Sequence, residues 1–67
     1  MAFGRNLMIA LFDRKMTQTQ LAEKIGVTQA AVNYYISEKR TPTLELCVKI
    51  ADVLGMTLDE LVRDGSK

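Results

Sequence analysis

The sequence contains no histidine and only one cysteine among its 67 residues, and these absences exclude several classes of protein. A single cysteine cannot form a disulfide within the chain, and without histidine the usual zinc-binding spacings are missing. The chain also lacks a glycine-rich phosphate-binding loop and has no histidine to act as a general base beside a nucleophile. We therefore expect no catalytic residues, no metal site, no cofactor, no small-molecule ligand and no enzyme activity.

The length allows one domain at most, which we place over residues 1–67. A chain this short buries only about 60% of the surface that it exposes when unfolded, so it needs efficient packing. Apolar residues make up 48% and charged residues 25% of the chain, as in a folded globular domain rather than a disordered segment. The longest apolar run near the start, residues 7–12, is too short for a secretory core or a membrane span. We expect a cytoplasmic protein without a membrane partner.

The charge is unevenly distributed although the net charge is only +1. Residues 1–40 contain six basic and three acidic side chains, whereas residues 41–67 contain three basic and five acidic ones. The first half is thus suited to face phosphate and the second half to face solvent or a partner. A mildly uneven surface without function explains the charges equally well.

Helical signals recur along the chain, and no segment shows the sustained two-residue alternation of a strand. Thr17 with Gln20 and Thr57 with Glu60 have the spacing of capping boxes. Gly26 is suited to end a helix because glycine tolerates the left-handed conformation there. The pattern predicts an all-α fold of five helices over about residues 2–15, 18–25, 29–37, 43–54 and 58–63. The predicted inward-facing residues are Phe3, Leu7, Ala10, Leu11, Leu21, Ala22, Ile25, Ala31, Val32, Tyr35, Leu44, Cys47, Ile50, Ala51 and Leu54.

The second and third predicted helices are separated by only a few residues. Ala22 is small enough to let the two helices approach, and Gly26 allows a sharp turn between them. Two short helices joined in this way form a helix-turn-helix, whose second helix fits the major groove of DNA.

With these residues in view, the chain resembles the Cro and phage-repressor (XRE-like) family of helix-turn-helix domains. The resemblance rests on TQTQLA at residues 17–22, GVTQ at 26–29, KRTPTL at 39–44 and KIADVLG at 49–55. It implies a five-helix lambda-repressor-like fold, with the helix-turn-helix in helices 2 and 3 and helix 3 as the recognition helix.

The resemblance also implies which residues contact DNA. Gln29 and Asn33 each combine a donor and an acceptor that can pair with adenine, and Ala30 can touch a thymine methyl. The predicted base-contacting residues are Thr28, Gln29, Ala30, Asn33 and Tyr34. The predicted phosphate-contacting residues are Gln18, Ser37, Lys39, Arg40 and Thr41. Considered alone, the Gln, Asn, Lys and Arg residues among them are ordinary surface residues, and packing against a neighbouring loop accounts for Tyr34 equally well. Only their placement together favours DNA contact.

The chain departs from the family pattern in two ways. Many relatives place an arginine in helix 1 and a glutamate just after helix 3, where this chain has Leu11 and Ile36. We expect an apolar contact there in place of the ion pair. The glycine common after helix 3 is Glu38 here. An acidic side chain is an unexpected neighbour for phosphate. Without the usual glycine, the family pattern does not determine the loop geometry, and hence how far Lys39 and Arg40 extend toward the DNA.

The predicted function is sequence-specific binding of double-stranded DNA as a transcriptional regulator, most simply a repressor acting as a homodimer on a palindromic operator. The predicted dimer interface consists of Leu46, Val53, Leu58 and Val62. Partial burial within the monomer accounts for these four residues equally well. The alternative function is a protein-interaction module, such as an antitoxin-like or anti-repressor protein, for which Gln29 and Asn33 would be dispensable.

Overall fold

A computed structural model describes residues 2–63 of the chain. Five helices follow one another: α1 (Phe3–Asp13), α2 (Gln18–Ile25), α3 (Gln29–Ile36), α4 (Leu44–Leu54) and α5 (Leu58–Val62). Residues 2–63 include no strand, so the prediction of an all-helical fold is confirmed. The helix bounds agree with the predicted ones to within two residues, and the largest difference is at the end of α1.

A threonine is the N-cap residue, immediately before the first helical residue, of four of the five helices. The side chains of Thr17, Thr28, Thr43 and Thr57 each accept a hydrogen bond from the backbone amide three residues further on. Both predicted capping boxes are formed, because the side chains of Gln20 and Glu60 accept in return from the amides of Thr17 and Thr57. Such a cap contributes about 1 kcal/mol by satisfying an amide that has no partner inside the helix.

All five helices contribute to one apolar core, in which α2 packs on α3 and α4 while α1 packs on α3 and α5. The buried apolar residues are Phe3, Leu7, Ala10, Leu11, Leu21, Ala22, Ile25, Val32, Tyr35, Ile50, Ala51, Leu54 and Leu61. Ala31 and Cys47 are half-buried against this core, and burial raises the pKa of the Cys47 thiol. The prediction that Leu44 faces inward is wrong, because its side chain is 73% exposed in the first turn of α4.

Left-handed backbone ends several helices. Gly26 and Gly55 have φ of 79° and 68° after α2 and α4, as expected for glycine at these positions. Lys15 adopts the same conformation with φ of 54°, and the amides of Lys15 and Met16 donate to carbonyls in the last turn of α1. This turn stops α1 at Asp13, two residues before the predicted end, without the glycine that usually marks such a stop.

Two polar side chains, Asn6 of α1 and Arg14 just after this helix, bind the ends of other helices. The Nδ2 group of Asn6 donates to the carbonyls of Glu60, Leu61 and Arg63 at the end of α5. The side chain of Arg14 donates to the carbonyl of Leu54 at the end of α4. These bonds satisfy carbonyls that have no partner within their own helices.

Candidate nucleic-acid interface

Residues 26–28 alone separate α2 from α3. The amides of Gly26 and Val27 both donate to the carbonyl of Ala22, at 2.9 and 3.0 Å, and the Ala22 side chain is buried. A Cβ atom at Gly26 would meet no atom within 4 Å, so its positive φ, and not lack of space, favours glycine at this turn. The short turn and the small buried side chain give α2 and α3 the close arrangement of a helix-turn-helix.

One face of α3 is buried and the other is free. Val32 is completely buried and Tyr35 is 9% exposed, so they fix the helix against the core. All five predicted base-contacting residues are exposed: Thr28, Gln29, Ala30, Asn33 and Tyr34. The helix thus presents two side-chain amides, a methyl group and a phenol on one accessible surface, which are groups able to contact base edges.

Thr28 has a structural function in addition to its exposure. Its Oγ1 atom accepts the hydrogen bond of the Ala31 amide at 3.1 Å and caps α3. The hydroxyl hydrogen remains able to donate, so contact with a phosphate or a base acceptor is compatible with the cap.

The start of α2 provides donors beside the same helix pair. Gln18 is the first residue of α2 and is half-buried. The Thr17 cap takes the amide of Gln20 at 3.0 Å, and the amides of Gln18 and Thr19 precede the first carbonyl-bonded turn. Free amides and the positive end of the helix dipole favour an anion at this point.

The segment after α3 is held by its own backbone. The amides of Glu38 and Lys39 donate to the carbonyls of Tyr35 and Tyr34, at 3.2 and 2.9 Å, which is the bonding pattern of a Schellman motif. Glu38 has φ of 63° and so takes the conformation that the usual glycine would take. We name residues 39–41, which follow it, the basic loop.

The basic loop is accessible to a ligand. The side chains of Lys39, Arg40 and Thr41 are exposed, and Pro42 behind them is buried. Ser37 is also exposed, and its hydroxyl donates to the carbonyl of Tyr34 at 3.3 Å. The predicted phosphate-contacting residues after α3 therefore lie on one short segment next to the exposed face of α3.

The Glu38 side chain binds the start of α1, a contact that the sequence analysis did not find. Its Oε2 atom accepts a hydrogen bond from the backbone amide of Gly4 at 3.0 Å. A Cβ atom at Gly4 would lie 2.2 Å from the carbonyl oxygen of Ile36. The end of α3 and the start of α1 are thus in backbone contact, and only glycine fits at position 4 without a shift.

The comparison with known proteins agrees with this geometry. The sequence pattern of the helix-turn-helix family HTH_3, which is of the XRE type, matches residues 10–61. The chain belongs to this family. The match begins within α1 and extends through α5 to Leu61, so it includes the whole helix-turn-helix and the basic loop. The resemblance to Cro and phage repressors is confirmed, as is the assignment to small all-helical helix-turn-helix DNA-binding domains.

Curated relatives of this helix-turn-helix domain include transcriptional regulators. The cryptic phage CTXphi transcriptional repressor RstR of Vibrio cholerae is 44% identical over 45 residues, which are 67% of this chain and 40% of the repressor. The uncharacterized HTH-type transcriptional regulator YqaE of Bacillus subtilis is 31% identical over 64 residues, which are 96% of this chain and 55% of that protein. The chain thus spans about half the length, or less, of these relatives.

A segment like this helix-turn-helix domain also occurs in an enzyme. The type II methyltransferase M.Sau96I of Staphylococcus aureus is 33% identical over 48 residues, which are 72% of this chain but 11% of the methyltransferase. The likeness is therefore confined to a small part of that enzyme.

The four residues of the predicted dimer interface are partly used within the monomer. Leu46, Val53, Leu58 and Val62 are all half-buried against the core. Larger exposed apolar surfaces belong to Phe12, Leu44 and Met8, which are 82%, 73% and 53% exposed. The dimer interface stays a prediction, and the most exposed apolar side chains are not part of it.

The apolar contact between Leu11 and Ile36, predicted in place of the family ion pair, stays a prediction. Leu11 is buried in the core, and Ile36 is half-buried against it.

The described residues 2–63 contain no group of three or more His, Cys, Asp and Glu side chains that could hold a metal ion. No helix in that range has the length and apolar character needed to cross a membrane.

Proposed function

We propose that this helix-turn-helix domain is a transcriptional regulator that binds double-stranded DNA sequence-specifically, with α3 in the major groove. One observation supports the proposal above the others: α3 is fixed by the buried Val32 and Tyr35 while Gln29, Asn33 and Ala30 remain exposed. A rigid helix with an accessible polar face fits the width of the major groove.

The proposed base contacts follow from the chemistry of the exposed groups. The amides of Gln29 and Asn33 can each bind the N6 and N7 atoms of adenine, and the Ala30 methyl can pack against a thymine methyl. The exposed hydroxyls of Tyr34 and Thr28 can donate to a base edge or to a phosphate. We infer that the first turns of α3 recognise a site containing A·T pairs.

The proposed phosphate contacts lie on both sides of α3. Gln18 and the free amides at the start of α2 would hold one phosphate. Beyond the other end of the recognition helix, the DNA backbone would be contacted by Ser37, Lys39, Arg40 and Thr41. Such contacts determine the orientation of the helix in the groove and do not distinguish sequences.

We further propose a homodimer on a palindromic operator, with Leu46, Val53, Leu58 and Val62 at the interface. One domain that contacts a few bases gains little specificity, and a second copy doubles the contacts. The names of RstR and YqaE as transcriptional regulators support regulation of transcription, and the name of RstR supports repression.

The proposal is tested by selecting binders from a random duplex DNA pool at about 150 mM salt, where exposed charges are already screened beyond ~8 Å. We expect enrichment of an inverted repeat with half-sites about one helical turn apart. A variant with Gln29→Ala and Asn33→Ala should lose the enriched sequence but keep weak binding to all DNA. A folded wild-type sample that enriches no sequence would contradict the proposal.

A protein-interaction module is the second candidate, and the exposed apolar side chains of α1 favour it. Phe12 is 82%, Met8 is 53% and Ile9 is 44% exposed, a grouping on one helix that suits a protein partner. For such a module, substitution of Gln29 and Asn33 would leave partner binding unchanged, whereas Phe12→Ser would abolish it.

A further inference from the structure

Glu38 forms a bond between the segment after α3 and the start of α1, 34 residues away along the chain. We name the hydrogen bond from the Gly4 amide to the Glu38 carboxylate the Glu38 clasp. The Gly4 amide is in the first turn of α1, where amides have no intrahelical partner. The N-cap residue of α1 is Ala2, whose side chain makes no capping hydrogen bond. Glu38 thus provides the cap that the local sequence lacks.

The residue immediately before the basic loop is therefore held from two directions. Its backbone amide donates to Tyr35 at 3.2 Å in the Schellman motif, while its side chain binds Gly4. The backbone of α1 is also in close contact with α3, since a Cβ at Gly4 would lie only 2.2 Å from the oxygen of Ile36. The direction in which the basic loop leaves α3 is fixed by these contacts.

The clasp also places the negative charge of Glu38 at the start of α1. The carboxylate of Glu38 faces the positive end of the α1 dipole, which stabilises it there. No ion pair joins Glu38 to Lys39 or Arg40 among residues 2–63. Both basic side chains consequently keep their charges available for a ligand, although an acid is their neighbour in sequence.

We propose that Glu38 is a positioning residue for DNA, which holds the basic loop ready for phosphate contact through its clasp on Gly4. This inference rests on the proposed function, because it assigns the basic loop to phosphate. An acidic residue then strengthens DNA binding, which is opposite to the effect expected from its charge alone.

The test compares Glu38→Gln with Glu38→Ala. Both variants remove the same charge and keep a non-glycine residue at the left-handed position, but only glutamine retains an oxygen that can accept from Gly4. Affinity for the selected operator is measured over a range of salt concentrations, with and without Arg40→Ala. All measurements are made at a temperature where circular dichroism shows every variant folded.

We expect Glu38→Ala to bind roughly three- to tenfold more weakly than Glu38→Gln, since an unpositioned loop must be ordered on binding. We expect Arg40→Ala to lower the slope of log K against log salt by about one in the wild type and in Glu38→Gln. In Glu38→Ala the same substitution should lower the slope by less than half as much. A residue that only stabilised the fold would leave the effect of Arg40→Ala unchanged.

The clasp itself is measured by amide hydrogen exchange in the absence of DNA. The Gly4 amide should exchange about tenfold faster in Glu38→Ala than in Glu38→Gln, as one lost hydrogen bond implies. Equal exchange in the two variants would show that the clasp is absent and would overturn the inference.

The two possible failures differ in their results. If the wild type binds and both Glu38 variants have the same affinity and the same response to Arg40→Ala, the proposed function stands and the positioning role is wrong. If the wild type binds no duplex DNA, the proposed function fails and the positioning role fails with it.

Discussion

The guanidinium of Arg14, the residue that follows α1, donates a hydrogen bond from Nε to the carbonyl oxygen of Leu54, the last residue of α4, at 2.6 Å. Its Nη1 atom also donates to the carbonyl of Ala10 at 3.2 Å. One cation thus binds the negative end of α4 and fixes it to α1, although 40 residues separate Arg14 from Leu54 along the chain.

Arg14→Ala is therefore expected to destabilise the fold by about 1 kcal/mol, because the end of α4 loses a charged donor. Urea unfolding measures the change as a lower midpoint at an unchanged slope. Lys49→Ala removes the same charge from an exposed position on α4 and should change stability by less than ~0.5 kcal/mol. Equal effects of the two substitutions would mean that Arg14 acts only through net charge.

The end of α5 depends on Asn6 in the same way. Its Nδ2 group faces three carbonyls, those of Glu60, Leu61 and Arg63, and α5 has only five residues. We expect Asn6→Ala to cost about 1 kcal/mol. Asn6→Asp should cost more than Asn6→Ala, since a carboxylate of nearly the same size would place negative charge against these carbonyls.

Hydrogen exchange locates the effect of the Asn6 variants. Amides of α5 should lose protection first, while those of α2 and α3 should keep theirs at low denaturant. Uniform loss of protection over all helices would show that Asn6 stabilises the whole core and not the end of α5.

Much of this architecture could be predicted because its signals are local. Threonine caps, helix-ending glycines and apolar periodicity each act within a few residues, and they placed five helices and most of the core correctly. The same periodicity was misleading at Leu44, whose spacing fits the inner stripe of α4 but whose side chain is 73% exposed. Periodicity gives the face of a helix but not how far the neighbouring helices extend over it.

Contacts between distant parts of the chain could not be predicted in this way. Asn6, Arg14 and Glu38 each bind backbone groups at least 34 residues away, and nothing in the local sequence identifies these groups. The exposed face of α3 was predicted from the family resemblance together with helical periodicity. The support for the basic loop by Glu38 was not, because it requires knowing where α1 begins in space.

Lys15 and Glu38 are the non-glycine residues with positive φ in the described part of the chain, at 54° and 63°. We expect Lys15→Gly to stabilise the protein by roughly 0.5–1 kcal/mol, because glycine adopts this conformation without steric cost. Lys15→Ala, which keeps the strain, is the matched control and should be nearly neutral. Thermal unfolding distinguishes the two, and a Lys15→Gly variant no more stable than Lys15→Ala would contradict the account of how α1 ends.

We expect Gly4→Ala to destabilise the protein, although helix propensity alone predicts that alanine would stabilise it. Alanine in place of glycine within a helix ordinarily stabilises it by up to about 1 kcal/mol. At position 4, however, the new Cβ would lie 2.2 Å from the backbone oxygen of Ile36, and a backbone group cannot rotate away as a side chain can. We expect a loss of about 1–3 kcal/mol from overpacking, measured by urea unfolding. A gain in stability would show that α1 and α3 separate there at little cost.

Gln29→Ala and Arg40→Ala should weaken DNA binding in different ways, although both residues are exposed, Gln29 at the start of α3 and Arg40 in the basic loop after it. The Gln29 amide is proposed to contact a base, so its loss should cost roughly 1–3 kcal/mol on the selected operator and relax the preference at one position. Arg40 is proposed to contact phosphate, so its loss should weaken binding to every sequence alike and lower the salt slope by about one. Lys49→Ala matches the charge change of Arg40→Ala away from α3 and should leave the slope nearly unchanged. If Gln29→Ala weakened binding to all sequences equally, Gln29 would be a phosphate contact, and recognition would have to lie with Asn33, Ala30 and Tyr34.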